Sequence, residues 1–253
     1  MLANYDLSGK RALVTGGAGG IGRGTVRAYL RCGASVAIND LPGSPKLAEV
    51  VAELTDEGHH VVAAPGDVGD PDDAPRMVSD AIDALGGLDY LVNNAGTSGT
   101  KAPIPPADFE RQDEDFWNLM INVNLIGPYR CTKAAAAALR ESGGAIVNTA
   151  SISAFGMGGS SSPYCATKAG LVVLTKEWAR ALAPDVRVNA IAPGAVDSDW
   201  MCRFPGLEES NSWTIPLDRI GTPTDYGEAI LFLSAGAGYV TGQTLNVDGG
   251  LTT

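Results

Sequence analysis

The sequence predicts an α/β fold, a doubly wound, seven-stranded parallel sheet with helices on both faces, and three observations carry that prediction. Short runs rich in Val, Ile, Leu and Ala alternate with longer segments of helical period, as parallel strands joined by crossover helices do. Across 253 residues, 45% hydrophobic and only 19% charged content is what one large, well-buried core requires. The first apolar run also passes straight into a glycine-rich turn and then a helix.

In chain order, Arg11-Ala-Leu-Val-Thr15 opens the sheet (11–15), and Val36-Ala37-Ile38 marks the second strand (35–39). Val61-Val62-Ala63 marks the third (60–64), Leu91-Val92 the fourth (90–92) and Ile146-Val147 the fifth (145–149). The last two fall at 187–191 and 244–247. Helical period places helices at 21–32, 45–57, 72–85, 113–139, 162–182 and 223–233. We expect one domain over 1–253. Its irregular segments near 96–109 and 195–216 are the expected substrate loops, since such sheets bind ligands beyond their strands' carboxyl ends.

A formal net charge of −11 argues against nucleic acid or a membrane surface as the main partner. No apolar stretch approaches the roughly 18 residues of a membrane span, and the start has no basic segment followed by an apolar one. A soluble, cytoplasmic protein is expected. Cys32, Cys131, Cys165 and Cys202 lie far apart without a CxxC pair, which suits reduced thiols. The adjacent His59 and His60 are poor joint metal ligands, so no metal is expected.

The turn Thr15-Gly16-Gly17-Ala18-Gly19-Gly20-Ile21-Gly22 has the composition of a Rossmann-type dinucleotide cradle. Its glycines let backbone approach a pyrophosphate, and the following helix N-terminus offers N–H groups and a partial positive charge. About 20 residues on, Asp40 ends the second strand, where a carboxylate accepts hydrogen bonds from ribose hydroxyls and repels a 2′-phosphate. Gly19 and Leu41 supply no cation there, so NAD is expected over NADP.

Tyr164-Cys165-Ala166-Thr167-Lys168 puts a phenol and an ammonium on one helical face. A free tyrosine is ionised about one part in a thousand at pH 7, a deficit of roughly 4 kcal/mol. An ammonium about 4 Å away at an effective dielectric near 20 nearly offsets that, before desolvation.

Taken together, Thr15-Gly16-x3-Gly20-x-Gly22, Asp67-Val68, Asn93-Asn94-Ala95-Gly96, Asn124, Ser151, Tyr164-x3-Lys168, Pro193-Gly194 and Asp248-Gly249-Gly250 resemble the compact, roughly 250-residue form of the short-chain dehydrogenase/reductase family. The resemblance implies that Ser151 holds the substrate oxygen, Tyr164 exchanges the proton, and Lys168 binds ribose and depresses the Tyr164 pKa. It implies further that Asn124 holds a water leading to the lysine, with Asn122 and Ser153 as less well aligned alternatives to Asn124 and Ser151. Asp67, Val68, Asn94, Ala95 and Gly96 would contact the adenosine side. Pro193, Gly194, Val196 and Ser198 would contact the nicotinamide side, Ser198 standing where the family usually has Thr. A homotetramer is the commoner assembly.

The expected reaction is NAD(H)-dependent hydride transfer between nicotinamide and a secondary alcohol or ketone. Small residues in 152–163 beside bulky Trp200, Met201, Phe204 and Trp213 suggest a medium-sized cyclic or aromatic substrate. Those aromatics read equally as interface or core, and Arg203 as a carboxylate anchor or a solvated surface residue. A 3-oxoacyl-thioester reductase is the alternative, and a non-catalytic dinucleotide-binding regulator is the alternative of another class.

Overall fold

A computed structural model describes residues 5–198 and 215–253. Seven strands, β1 Arg11–Val14, β2 Ser35–Asp40, β3 Val61–Pro65, β4 Tyr90–Asn93, β5 Ala145–Thr149, β6 Arg187–Pro193 and β7 Thr244–Val247, form one parallel sheet in the order β3-β2-β1-β4-β5-β6-β7. Seven α-helices intervene: α1 Gly20–Arg31, α2 Pro45–Asp56, α3 Asp73–Leu85, α4 Glu114–Ile121, α5 Gly127–Ser142, α6 Ser162–Leu182 and α7 Pro223–Leu231.

Strand side chains alternate between two cores, as a sheet covered on both faces requires. Ala12 and Val14 pack with Val26 and Tyr29 of α1, Leu54 of α2 and Ile230 of α7. Leu13 between them packs on the opposite side with Met77 of α3, Leu139 of α5 and Leu182 of α6. Each such fully buried aliphatic side chain contributes about 1.5–3 kcal/mol of burial free energy. Because β1 pairs with β2 on one side and β4 on the other, the winding reverses between β1 and β4. A crevice opens beyond the carboxyl ends of these strands.

One expected element is corrected. The single helix over 113–139 is two helices, α4 and α5, joined by a wide π-type turn at Asn122–Ile126. Pro128 in the first turn of α5 has no N–H to continue the normal ladder, and the backbone accommodates this by widening. α7 likewise stops at Leu231 and runs on as a π turn at Phe232–Gly236, and β6 extends to Pro193 because it pairs with Val247. Among the described residues no helix is long and apolar enough to cross a membrane.

Candidate active site

After β1 the chain is tied down by polar side chains from its neighbours. Thr15 Oγ1 donates to the Val92 carbonyl at 3.2 Å and accepts from Asn94 N at 2.9 Å and Ala95 N at 3.0 Å. Asn94 Nδ2 donates to the Thr15 and Gly16 carbonyls at 3.0 and 3.1 Å. Asn39 Oδ1 accepts from Gly16 N at 3.3 Å, and the Asn39 carbonyl accepts from Gly17 N at 2.8 Å. Asn39 is thus a positioning residue that sequence reasoning passed over in favour of its neighbour Asp40. A polar residue inside an otherwise apolar strand was the signal.

Gly16 has a φ of +61° and lies so close to β4's exit that a Cβ there would stand 3.0 Å from Ala95 Cα. A Cβ on Gly22 would come within 2.1 Å of the Gly16 carbonyl oxygen, so Gly22 acts from behind the turn by letting α1 pack against it. No side chain caps the start of α1 at Gly19, which leaves the first amides and the positive end of the helix to an anion. A glycine cradle below an uncapped helix start fits the pyrophosphate of a dinucleotide.

The cradle opens into a cleft of about 550 Å³. Gly16, Gly20, Ile21 and Asp40 line one end, with Asn94, Ala95 and Gly96 beside them. Pro193, Gly194, Val196 and Ser198 also form part of its wall, Ser198 close beside Gly20, and Ser151, Tyr164 and Lys168 line the same cleft. Tyr226 Oη donates to the Ala195 carbonyl at 2.7 Å and anchors that wall. Gly22, Asp67, Val68 and Asn124 do not line the cleft. Asp67 instead holds its own loop, accepting from Gly69 N at 2.7 Å, while Val68 is buried against Gly127. Trp200, Met201, Cys202, Arg203, Phe204 and Trp213 lie outside the described residues.

Lys46 of α2 also lines the cleft, and a Cβ on Gly19 would be 3.0 Å from its Nζ. Gly19 and Leu41 themselves carry no charge, as expected, but Lys46 brings a cation to this side of the cleft. The sequence concealed it because Lys46 reaches the site across space, from a helix six residues beyond Asp40.

Ser161 caps α6, its Oγ accepting from Tyr164 N at 3.2 Å, with Pro163 preset for the first turn. That cap fixes where Tyr164 enters the cleft. One turn further, Lys168 is 4% exposed, with Nζ donating to the Thr149 carbonyl at 2.8 Å and lying 5.7 Å from the Tyr164 ring centroid. Asn124, fully buried on the π turn, accepts from Thr97 N at 2.8 Å and donates to the Thr97 carbonyl at 2.9 Å. A Cβ on Gly96 would stand 3.1 Å from Asn124 Oδ1 and 3.5 Å from Lys168 Nζ, so this glycine lets asparagine and lysine converge. Asn122 instead faces Arg130, whose Nη2 donates to its Oδ1 at 3.3 Å.

Burial pushes the Tyr164 phenol up to about 12, a hydrogen bond with Ser151 opposing the rise. Burial likewise pushes the Lys168 ammonium down to about 8. The lysine alone is expected to lower the phenol before desolvation is counted; burial is the largest influence here and acts in the opposite direction. A protonated phenol beside a serine hydroxyl is an acid suited to a substrate oxygen gaining negative charge. Among the described residues no cluster of His, Cys, Asp or Glu could hold a metal ion.

A family profile described as Enoyl-(Acyl carrier protein) reductase matches residues 16–252. The chain is 38% identical over 247 residues to the 3-oxoacyl-(acyl-carrier-protein) reductase FabG of Staphylococcus aureus, covering 96% of this chain and 98% of that protein. Among solved structures, it is similar to a 7α-hydroxysteroid dehydrogenase complexed with NADH and 7-oxo glycochenodeoxycholic acid (TM-score 0.88, 29% identity, 98% and 96% coverage). It is also similar to a short-chain dehydrogenase of Burkholderia cenocepacia in complex with NADP (TM-score 0.87, 32% identity, 98% and 100% coverage). The chain belongs to the short-chain dehydrogenase/reductase family and has its oxidoreductase fold.

Proposed function

We propose that this protein reduces the 3-oxo group of acyl thioesters, and reversibly oxidises the corresponding alcohols, with NAD(H). The observation that carries the reaction is the Ser151–Tyr164 hydrogen bond above buried Lys168, in the same cleft as the glycine cradle. The substrate carbonyl oxygen would accept from Ser151 and Tyr164, and Tyr164 would pass it a proton as the carbon receives hydride. A bound nicotinamide dinucleotide supplies the hydride. Lys168 would place its ammonium beside the phenol and hold the ribose of a bound dinucleotide.

The thioester class rests on similarity to the staphylococcal 3-oxoacyl reductase over nearly its whole length. This reverses the order expected from sequence, whose bulky aromatics lie outside the described residues. Likeness to the hydroxysteroid enzyme supports a cyclic secondary alcohol as the second reading. Initial rates with NADH on an acetoacetyl thioester and on cyclic and aromatic ketones separate the two. We expect kcat/KM for the thioester at least about tenfold above the best ketone; the opposite order favours the second reading. Tight NADH binding without turnover on any of them favours the regulator.

Asp40, held by Leu41 N donating to its Oδ1 at 2.7 Å, supports NAD(H), while Lys46 opposes it. We expect kcat/KM for NADH to exceed that for NADPH by about tenfold, and Asp40→Ser to shift the ratio toward NADPH by at least about tenfold, the scale of one like-charge repulsion removed. A tenfold NADPH preference in the unaltered protein overturns the cofactor reading. The same reading includes a homotetramer, for which exposed Val173 on α6 and Leu245 on β7 offer apolar surface.

A further inference from the structure

β5 ends at Thr149 and the chain enters a 3₁₀ turn at Ile152–Phe155, capped by Ser151. The turn folds Ser153 back on the serine before it. Ser153 N lies 3.2 Å from Ser151 Oγ, and the two hydroxyl oxygens lie 3.1 Å apart. Both residues line the cleft, yet they are only 8% and 7% exposed, so water competes little for these bonds.

A hydroxyl has one proton and two acceptor lone pairs. Ser153 N–H fills one lone pair of Ser151. The bond between the hydroxyls can run in either direction, and the direction decides what Ser151 can do. If Ser151 donates to Ser153, its proton is consumed inside the protein. If Ser153 donates to Ser151, both lone pairs are filled by one residue, and the Ser151 proton is left for an acceptor in the cleft.

We propose that Ser153 is a positioning residue for the reduction, filling both acceptor sites of Ser151 Oγ and so aiming the Ser151 proton at the substrate oxygen. Hydrogen bonds in such a chain polarise one another, so the same relay strengthens Ser151 as a donor. Tyr164 then keeps its own proton for transfer. Gly159 leaves the space the relay needs, because a Cβ there would stand 2.8 Å from Ser153 Oγ and 2.9 Å from Cys165 Sγ. The inference rests on the roles proposed above for Ser151 and Tyr164.

The test is reduction of an acetoacetyl thioester with NADH by Ser153→Ala, Ser151→Ala, the double variant and Tyr164→Phe. One net hydrogen bond corresponds to about a fivefold fall in kcat for Ser153→Ala. KM for NADH should stay within about twofold, and in the Ser151→Ala background Ser153→Ala should cause no further loss. An unchanged kcat, or the same fivefold loss without Ser151, overturns the relay while leaving the site's chemistry intact. Full activity in Tyr164→Phe overturns the underlying reading and the relay with it.

Discussion

Tyr164→Phe is expected to fold and to bind NAD(H) as the unaltered protein does, while losing at least about a hundredfold in kcat, the lower end for general acid–base catalysis. The ring stays in the cleft wall, and only the hydroxyl and its hydrogen bond with Ser151 are removed. Because burial pushes the phenol up to about 12, the proton needed for reduction stays in place through neutral and mildly alkaline pH. Tyrosine deprotonation should therefore produce no fall in the reductive rate below about pH 9. NADH titration and steady-state rates on the two proteins check this, and near-normal turnover in the phenylalanine variant removes Tyr164 from the mechanism.

Lys168→Met should act on activity and stability together. The variant removes a charge-assisted donor, worth about 1.5–3 kcal/mol, so kcat/KM should fall at least about tenfold. Stability has its own signature. Burial pushes the Lys168 ammonium down to about 8 in the folded chain, against an ordinary 10.5. Between those values the unfolded chain holds a proton that the folded chain has released, so stability rises with pH across that window. At and below pH 8 the full cost of burying the charge is present, about 3 kcal/mol for roughly 2.5 pKa units. Methionine titrates nowhere. The stability of the unaltered protein relative to Lys168→Met should therefore rise by about 2–3 kcal/mol from pH 7.5 to 10.5. Chemical denaturation at several pH values measures this, and a difference flat in pH shows that Lys168 is better hydrated than its surroundings indicate.

Much of the fold was legible because parallel strands and their covering helices leave a local record. Runs such as Ala12-Leu13-Val14 and Ile146-Val147 are apolar on both faces, and all seven were located within about two residues of their observed bounds. The helix at 113–139 was misread because its interruption depends on one missing amide at Pro128 and not on hydrophobic period. Gly16, Gly20, Asp40, Ser151, Tyr164 and Lys168 could be named as candidates because their residue types and spacings are constrained by the chemistry expected of them.

Spacing along one strand or helix survives folding, so the parallel sheet, the glycine turn and the Tyr164–Lys168 face could be read directly from the order of residues. Contacts between elements have no such record. That Lys46 reaches Gly19 and that Asn39 holds the Gly16 amide both depend on how separate segments pack. The balance of charge at the site depended on packing too: one helical turn places Lys168 near Tyr164, but the surrounding burial raises the phenol and lowers the ammonium.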